Sequence, residues 1–523
     1  MKQRTGSCPA CGAPVVFKLS TALVTICESC HSVVARGDKR LEDHGRVADL
    51  METDSPVSVG MNGSFEKKSF QVVGRVQYQH PAGGVWDEYY LKFPGDKVRW
   101  LAVAQGKLYL TTEKRPSQQT PLPGIDSLEV GEQIQLPDGK NLVITETGTA
   151  TARSAEGEIP WVFRPDVEHR FADLNGEDRA FASIEESGTE SGPRFFLGRE
   201  VTVDELKLAG NDQTSSIPLS FNTPALQINC PQCAGPLNLH APDKTLRVCC
   251  PNCYSLLDCN QGRLEFLQTL TFNESLQILI PLGTEGTLDG VKYTVIGFMS
   301  RYVVEEGKHY PWAEYLLYNA QSGFRWLICN QRHWSVAESI TMGATRSKNQ
   351  VTYQGTVYRL FDRGKACVRT VVGEFYWKVN AGDYAHTEDY ISPPFMLSFE
   401  NSTTADGKEM VVSLSKYLDV DTIEAAFGLK DLPRPWGIGP IQPQEPLPKG
   451  FWWILVSTFV LLNLLSEFFS SGADSIKSGN YSGHLIMATL LLIAWPLGVL
   501  FKRNSVEMNR WKNSDYSPYQ QAE

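Results

Sequence analysis

The sequence lacks the signatures of the common enzyme classes. It contains no GxxxxGK[ST] phosphate-binding loop, no GxGxxG dinucleotide fingerprint, no GxSxG nucleophile elbow and no HExxH metal-binding helix. Each motif places a reactive group on a defined local structure, and each absence therefore counts against one class. Together they favour a binding or structural protein over a familiar enzyme.

An excess of positive charge is also missing. The chain has 49 Lys and Arg residues against 59 Asp and Glu residues, which gives a formal net charge of −10. Because proteins bind nucleic-acid backbones through clustered Lys and Arg, this balance makes nucleic acid an unlikely main partner.

No long apolar run follows the first residues, "MKQRTGSCPACG", so the sequence predicts no secretory signal peptide. We therefore expect a reducing, cytosolic environment for most of the chain. Paired CxxC units in that environment are typical of metal sites rather than of disulfides.

What the sequence does have is two sets of paired CxxC units. The first set is Cys8, Cys11, Cys27 and Cys30; the second is Cys230, Cys233, Cys250 and Cys253. This spacing predicts two zinc ribbons, each holding one Zn²⁺ through four thiolates, with iron as a second choice. Because such a site has no open coordination position, both metals are expected to be structural.

The stretch "VCCPNC" offers three cysteines for two ligand positions. Only Cys250 makes a CxxC unit with Cys253, so Cys250 is the predicted ligand and Cys249 is expected on the other face of its strand. Cys259 has no counterpart in the first module. A spare buried thiol is the favoured interpretation, with ligand exchange or redox sensing as alternatives.

The chain repeats itself at a shift of about 220 residues. Both cysteine modules match, and so do "VGMNGSFEKKSFQVVGRV" with "LGTEGTLDGVKYTVIGFM", "WDEYYL" with "WAEYLL", and "GEIPW" with "GEFYW". After each module, apolar and polar residues alternate in segments rich in Val, Tyr and Phe, which predicts antiparallel strands.

The predicted fold is mainly β, with two zinc ribbons and two antiparallel sandwich or barrel-like domains in tandem, followed by a transmembrane helical hairpin. The predicted boundaries are 1–45 for ribbon 1, 55–210 for β domain 1, 225–265 for ribbon 2, 275–425 for β domain 2, 431–450 for a proline-rich linker, and 451–469 and 485–501 for the two transmembrane helices.

The two C-terminal apolar runs are about long enough to cross a bilayer, and a hairpin buried in a soluble core is the alternative. Basic residues flank the runs, at Lys449, Lys502, Arg503, Arg510 and Lys512. By the positive-inside rule we expect an inner-membrane protein whose N-terminal bulk and C-terminal tail are cytoplasmic. The linker is expected to be an extended spacer.

A ligand pocket in the second β domain is a further hypothesis, built on Trp312, Glu314, His386 and Asp389. Trp312 and Glu314 belong to a WxEY motif that both copies share, and "DYAHTED" (383–389) is expected to be a loop. The competing interpretation is that Trp packs and Glu satisfies a buried donor. Cys329 and His333 would suit a catalytic pair only on a helix, whereas their surroundings predict a strand.

The run from "GTLDGVKYTVIGFM" to "GEFYWKVNAGDYAHTEDYISPPFML" (286–397) resembles the bacterial domain family DUF4178, and the first copy is similar to a more divergent member. The resemblance implies a cysteine-module protein that often ends in a membrane hairpin, with a possible role in envelope stress. It assigns no catalytic residue.

These observations lead to a main expectation, a membrane-anchored, cytosol-facing scaffold or adaptor that binds protein partners. A small-ligand sensor or an unrecognised enzyme that uses the pocket in the second β domain is the alternative. Nucleic-acid binding by the ribbons is the third hypothesis.

Overall fold

The structure is a computed structural model. It describes residues 4–519 with gaps at 18–21, 37–40, 47–49, 51–52, 54, 81–83, 96, 105, 115–122, 136–139, 162, 165–166, 188–191, 210–225, 242–243, 261–262, 271–276, 342–344, 348, 405–406, 448–449, 459 and 462–480.

The first copy consists of a small strand module and a larger β domain. The module contains β1 (Arg4–Ser7), β2 (Pro14–Phe17), β3 (Val24–Ile26), β4 (Ser32–Arg36) and β5 (Leu41–Arg46). The domain contains β6 (Asn62–Phe65), β7 (Lys68–Gln79), β8 (Val85–Phe93), β9 (Lys97–Ala104), β10 (Lys107–Lys114), β11 (Gln133–Gln135), β12 (Asn141–Ile159), β13 (Glu168–Gly176), β14 (Ala180–Ser187), β15 (Arg194–Val201) and α1 (Val203–Leu206).

The second copy repeats this order. Its module contains β16 (Leu226–Asn229), β17 (Pro236–Leu239), β18 (Arg247–Cys249), β19 (Ser255–Asn260) and β20 (Arg263–Thr269). Its domain contains β21 (Glu285–Leu288), β22 (Val291–Glu305), β23 (Lys308–Asn319), β24 (Gly323–Asn330), β25 (His333–Ser339), β26 (Thr345–Ser347), β27 (Gln350–Tyr353), β28 (Thr356–Phe375), β29 (Tyr384–Ser392), β30 (Phe395–Thr404), β31 (Gly407–Leu418) and α2 (Val420–Phe427).

Each domain closes into a ring of eight antiparallel strands. The first ring runs β7, β8, β9, β10, β15, β14, β13, β12 and back to β7. The second runs β22, β23, β24, β25, β31, β30, β29, β28 and back to β22. The predicted mainly β class is confirmed, and the described strands form closed barrels rather than sandwiches.

Much of the apolar core lies between each barrel and its short helix. Tyr89, Leu91 and Leu101 pack beneath Leu206 of α1, and in the second copy Tyr315 and Leu317 belong to a cluster with α2. Burying one such side chain contributes about 1.5–3 kcal/mol. This outer layer leaves the inward faces of the barrels free to carry polar residues.

A pair of glycines closes each ring at the same place. Gly157 of β12 faces Gly74 of β7, and Gly373 of β28 faces Gly297 of β22. A Cβ atom added to Gly373 would lie 2.3 Å from the carbonyl oxygen of Ile296, and the φ angle of this glycine is +88°. The two backbones therefore approach to a distance that only glycine allows.

Beyond the glycine crossing, the long strands continue out of the rings and pair with the cysteine modules. Glu158 and Ile159 of β12 pair with β3, and residues 373–375 of β28 pair with β18. The carboxylate of Glu374 accepts hydrogen bonds from the backbone N–H groups of His240 and Ala241, at 2.7 and 3.1 Å, and from the hydroxyl of Thr245. One sheet of each module is thus an extension of a barrel sheet, whereas β1 with β2 and β16 with β17 form separate two-stranded sheets.

A short seam of paired strands joins the two barrels. Residues 146–148 of β12 pair with residues 407–409 of β31, so that Glu146 lies directly opposite Glu409. Like charges at directly opposed positions are unfavourable unless one of them is neutralised. The seam therefore joins the two copies at an acidic point.

The proline-rich segment does not behave as the free spacer that its composition predicts. Ile441 is buried in a cluster with Trp511 and Tyr417, and the guanidinium of Arg510 donates to the carbonyl oxygens of Gly439 and Pro440. The segment preceding the predicted hairpin and the segment following it therefore lie against the same barrel.

Helical backbone occurs at residues 451–458 and 460–461 and in α3 (Tyr481–Arg510), which contains the second predicted span. The rest of the first predicted span, 451–469, lies outside the described residues. Within the described residues, no helix has both the length and the apolar character needed to cross a membrane, so the predicted transmembrane spans are not supported there.

The glycine crossing gives the first prediction. Gly373→Ala is expected to lower the free energy of unfolding by about 3 kcal/mol or more, because the new methyl group overlaps the Ile296 carbonyl. Gly355→Ala is the matched control, since Gly355 has a similar φ of +75° but open space around it. It should cost only about 1 kcal/mol. Urea unfolding of both variants measures the difference, and equal losses would show that the close crossing has no special cost.

Candidate metal centres and an acidic cavity

The eight predicted cysteines come together as two four-sulfur groups. In the first group, Sγ of Cys8 lies 3.7 Å from Sγ of Cys30, and Sγ of Cys11 lies 3.7 Å from Sγ of Cys27. A tetrahedral zinc site with bonds of about 2.3 Å places its sulfurs about 3.8 Å apart. The donor set and its spacing therefore fit a four-coordinate metal ion.

The second group has the same dimensions. Sγ of Cys230 lies 3.8 Å from Sγ of Cys253, and Sγ of Cys233 lies 3.7 Å from Sγ of Cys250. These separations are far longer than an S–S bond of about 2.05 Å. Each cluster could hold a metal ion.

Identical backbone turns position the sulfurs in both groups. The residue after each CxxC unit has a positive φ, and its N–H donates to the carbonyl of the first cysteine of that unit. These residues are Gly12, His31, Ala234 and Tyr254. The turn points both thiols of a unit toward one centre. His31 serves this backbone role and is not part of the four-sulfur group.

The remaining two cysteines of the second module lie elsewhere. Cys249 is fully buried in the core of the second barrel with Val371 and Phe375, on the other side of its strand from the four-sulfur group. Cys259 is buried beside the group, in a cluster with Cys250 and Leu257. As the CxxC spacing predicts, Cys250 of the doublet belongs to the four-sulfur group, whereas Cys249 belongs to the barrel core.

The predicted pocket residues only partly come together. Trp312 and Glu314 lie on β23, and the indole N–H of Trp312 donates to Oε1 of Glu314 at 2.6 Å. The "DYAHTED" segment is not a loop, because Tyr384–Ser392 forms β29. His386 is exposed. It lies three residues before Asp389 on the same strand, so the two side chains point to opposite faces.

A buried arginine completes the cluster around Glu314. The guanidinium of Arg301 makes two parallel contacts with Glu400, at 3.0 and 2.8 Å, and approaches Oε1 of Glu314 at 3.4 Å. It also lies 5.7 Å from the ring centre of Trp312. Although burial opposes its charge, Glu400 and Glu314 hold the pKa of Arg301 above its ordinary value. We call Trp312, Glu314, Asp389, Ser398 and Glu400 the second cage.

The strand registers place equivalent residues in the first barrel. Trp86 lies opposite Tyr78 in the first barrel, and Trp312 lies opposite Arg301 in the second. Asp173 lies opposite Ser183, and in the same way Asp389 lies opposite Ser398. Glu185 lies opposite Phe171, and Glu400 lies opposite Thr387. The first cage therefore consists of Trp86, Glu88, Asp173, Ser183 and Glu185. Its tryptophan also donates to its glutamate, from Trp86 Nε1 to Glu88 Oε1 at 3.2 Å.

The two cages differ at the position of the arginine. Tyr78 occupies the register position of Arg301, and its ring stacks on Trp86 with ring centres 5.4 Å apart. A cavity of about 1670 Å³ opens beside it, and all five residues of the first cage line this cavity. Lining residues from β13 and β14 are two apart along their strands, so they share one face of the ring.

Burial keeps the carboxyl groups of the first cage partly protonated. Burial raises the pKa of Glu88 to about 7, and burial together with the charge of Glu146 raises the pKa of Asp173 to about 8. Burial and the nearby charge of Glu88 also raise the pKa of Glu185 well above its ordinary value. At the seam, burial and Glu146 raise the pKa of Glu409 to about 7. The cavity is therefore lined by carboxyl groups whose charge is unfavourable without a cation.

The Cys329 and His333 pair has no catalytic arrangement. Cys329 is the penultimate residue of β24 and lies opposite Trp334, while Nδ1 of His333 lies 3.2 Å from the hydroxyl of Tyr417. The two residues are joined by a tight turn at Gln331 and Arg332 rather than by a helix.

Sequence reasoning missed Asp173, Glu185 and Glu400. The signal that could have found them is the alignment of "FADLNG" with "TEDYIS" through their strands, which places Asp173 on Asp389. The shifted His169 obscured this match.

Comparison with known proteins gives one family match. The model of the family described as "Domain of unknown function (DUF4178)" matches residues 58–203 and 281–420, which together make up more than half of the chain. These two ranges contain the two barrels. No curated protein and no solved structure matches.

The doublet in the second module provides a test of the metal sites. Cys250→Ser is expected to reduce bound metal from two equivalents per chain to one, because Cys250 contributes one of four sulfurs. Cys249→Ser should keep both equivalents, since Cys249 lies in the barrel core. Elemental analysis of the purified full-length proteins measures this. Loss of metal from Cys249→Ser but not from Cys250→Ser would contradict the assignment.

Proposed function

The chain belongs to the DUF4178 family, because the family model matches both of its barrels. We propose that the protein is a scaffold or adaptor that binds protein partners at the cytoplasmic face of a membrane. The observation that carries this proposal is the continuous pairing of module, barrel and second barrel. It makes a duplicated binding body in which both modules have fixed positions.

The exposed tips of the modules are the surfaces we assign to partners. Ala10 and Gln232 occupy the same position in the two copies, between the cysteines of the first CxxC unit, and both are exposed. Because the tips repeat, a partner with two matching sites would gain affinity from binding both at once.

We further propose that both four-sulfur groups hold zinc and act structurally. Four thiolates favour zinc or iron, and a closed four-sulfur shell leaves no position for a substrate. The hydroxyls of Ser32 and Ser255 lie 3.4 and 3.2 Å from Sγ of Cys30 and Cys253, where each could donate to a thiolate. Iron in place of zinc in the elemental analysis would contradict this proposal.

Membrane anchoring is proposed from the apolar runs 451–469 and 485–501 of the sequence. The contact of Lys502 with Glu445, at 3.0 Å, and the packing of Trp511 on Ile441 support the expectation that both flanks of the hairpin lie on one side of the membrane.

The adaptor proposal is tested with tagged full-length protein. We expect the protein to stay in carbonate-washed membranes and, after crosslinking, to bring down a stoichiometric protein partner. The double variant Ala10→Arg and Gln232→Arg should remain in the membrane but lose the partner, because charge is added only at the exposed tips. Thr356→Arg adds a charge at an exposed hairpin of the second barrel and is the control.

Two results would count against these claims. Release of the protein by carbonate would contradict the anchor. Partner recovery that is absent, or that is unchanged in the double variant, would contradict the adaptor role.

A second function, small-ligand binding, is favoured by the cavity of the first barrel. An eight-stranded barrel has an interior that can hold one small ligand. The cavity combines aromatic walls, including Tyr109, Phe181 and Phe196, with the few polar groups of the first cage, a combination that is common in ligand sites.

Thermal unfolding of the full-length protein in a small-molecule cell extract tests this second function. We expect the extract to raise the melting temperature by roughly 2–4 °C, because a ligand that binds only the folded state stabilises it. Ala102→Trp should abolish the shift, since Ala102 lines the cavity. Ala425→Trp, at an exposed position on α2, should keep it. An equal shift in the Ala102→Trp variant would place the ligand elsewhere.

A further inference from the structure

We propose that the first cage binds the guanidinium group of a small organic cation. This inference rests on the ligand-binding function proposed above and adds the chemical class of the ligand. It is carried by a comparison within the chain, because the second cage already holds such a group.

In the second barrel the cation is part of the protein. Arg301 enters the cage from β22, pairs with Glu400 through two parallel contacts and with Glu314 through a third, and lies against the face of Trp312. Planar guanidinium and carboxylate groups match in this two-contact geometry, and an aromatic face adds cation–π attraction. The second barrel thus shows which ligand chemistry this set of residues accepts.

In the first barrel the same residues remain without that arginine. Glu88 and Glu185 stand at the positions of Glu314 and Glu400, and Trp86 stands at the position of Trp312. The position of Arg301 holds Tyr78, which adds a second aromatic ring to the cage and leaves the cavity beside it. A cation from solution could occupy the place that the arginine side chain fills in the other copy.

Two basic side chains near the first cage also contact groups outside it. Arg194 lies directly opposite Glu185 in the strand pairing and attracts the charges of Glu88 and Glu185; its guanidinium also pairs with Glu113 at 3.1 Å and lies over the rings of Trp161 and Phe196. Lys244 lines the cavity and contacts the hydroxyl of Tyr318 at 3.2 Å. Despite Arg194, burial keeps the pKa values of Glu88 and Glu185 raised, as it does for Glu314 beside Arg301.

The cost of ionising several buried carboxyl groups also favours the binding of an external cation. Several carboxyl groups that share one buried site cannot all ionise without a counter-charge. A bound guanidinium group would attract these carboxyl groups in the first cage, as Arg301 pairs with Glu314 and Glu400 in the second. A neutral ligand of the same shape would leave those charges unfavourable, and an anion would add repulsion.

Isothermal titration calorimetry on the full-length protein tests the ligand class with three probes of similar size. The probes are butylguanidinium, its neutral isostere butylurea, and the pentanoate anion. We expect butylguanidinium to bind with one equivalent per chain, and butylurea and pentanoate to bind at least tenfold more weakly.

Two variants place the binding in the first cage. Tyr78→Arg puts a guanidinium at the register position of Arg301 and should weaken butylguanidinium binding at least tenfold by filling the cage. Glu88→Gln keeps the shape of the side chain, removes one charge and should have a similar effect, so that the test does not depend on the folding of Tyr78→Arg. Ser69→Arg adds the same charge at an exposed position of β7 and should leave the affinity within twofold.

The outcomes separate this inference from the function on which it rests. If butylurea or pentanoate binds as well as butylguanidinium, or if neither cage variant weakens binding, the cation class is wrong and ligand binding stands. If the cell extract stabilises the protein through the cavity but butylguanidinium does not bind, only the cation class is overturned. If the extract also fails to stabilise the protein, ligand binding itself is overturned.

Discussion

The close crossing of two glycines in each copy is the constraint on which the rest of the architecture depends. At Gly74 with Gly157, and at Gly297 with Gly373, the backbones approach within a distance that excludes any Cβ atom. The crossing closes the ring of eight strands. It also lets β12 and β28 leave the ring and pair with the cysteine modules, so one local feature joins the barrel to its four-cysteine module.

Both copies have a barrel with acidic side chains in its interior, but the two interiors differ in how these side chains are paired. A carboxylate removed from water must be protonated or paired, because its desolvation is costly. The second copy pairs Glu314 and Glu400 with Arg301, whereas the first copy keeps its carboxyl groups around an open cavity. Two register positions distinguish the cages: Tyr78 stands in place of Arg301, and Arg194 stands opposite Glu185 where Val411 stands opposite Glu400.

The sequence was sufficient for features with a local pattern. The CxxC spacing predicted both cysteine groups, and the period-two segments predicted strands. Ring closure depends on pairing between distant strands, which no local pattern reports. The cage residues were harder to predict from the sequence than the ring closure, because Asp389 and Thr387 face a polar interior. The usual alternation of apolar and polar residues is lost there, and a strand was predicted as a loop. Insertions between strands also shift the repeat, which hid the match of Asp173 to Asp389.

The second metal module and the cavity of the first barrel share a wall. Tyr376 and Trp377 directly follow β28, and Leu246 precedes β18; all three line the cavity. The N–H of Leu246 donates to the carbonyl of Phe375, and Glu374 binds the backbone of His240 and Ala241. The four sulfurs that order this module therefore also order part of the cavity wall. A ligand in the first barrel would thus contact a surface that adjoins the four-cysteine module of the second copy, which links the two halves of the chain.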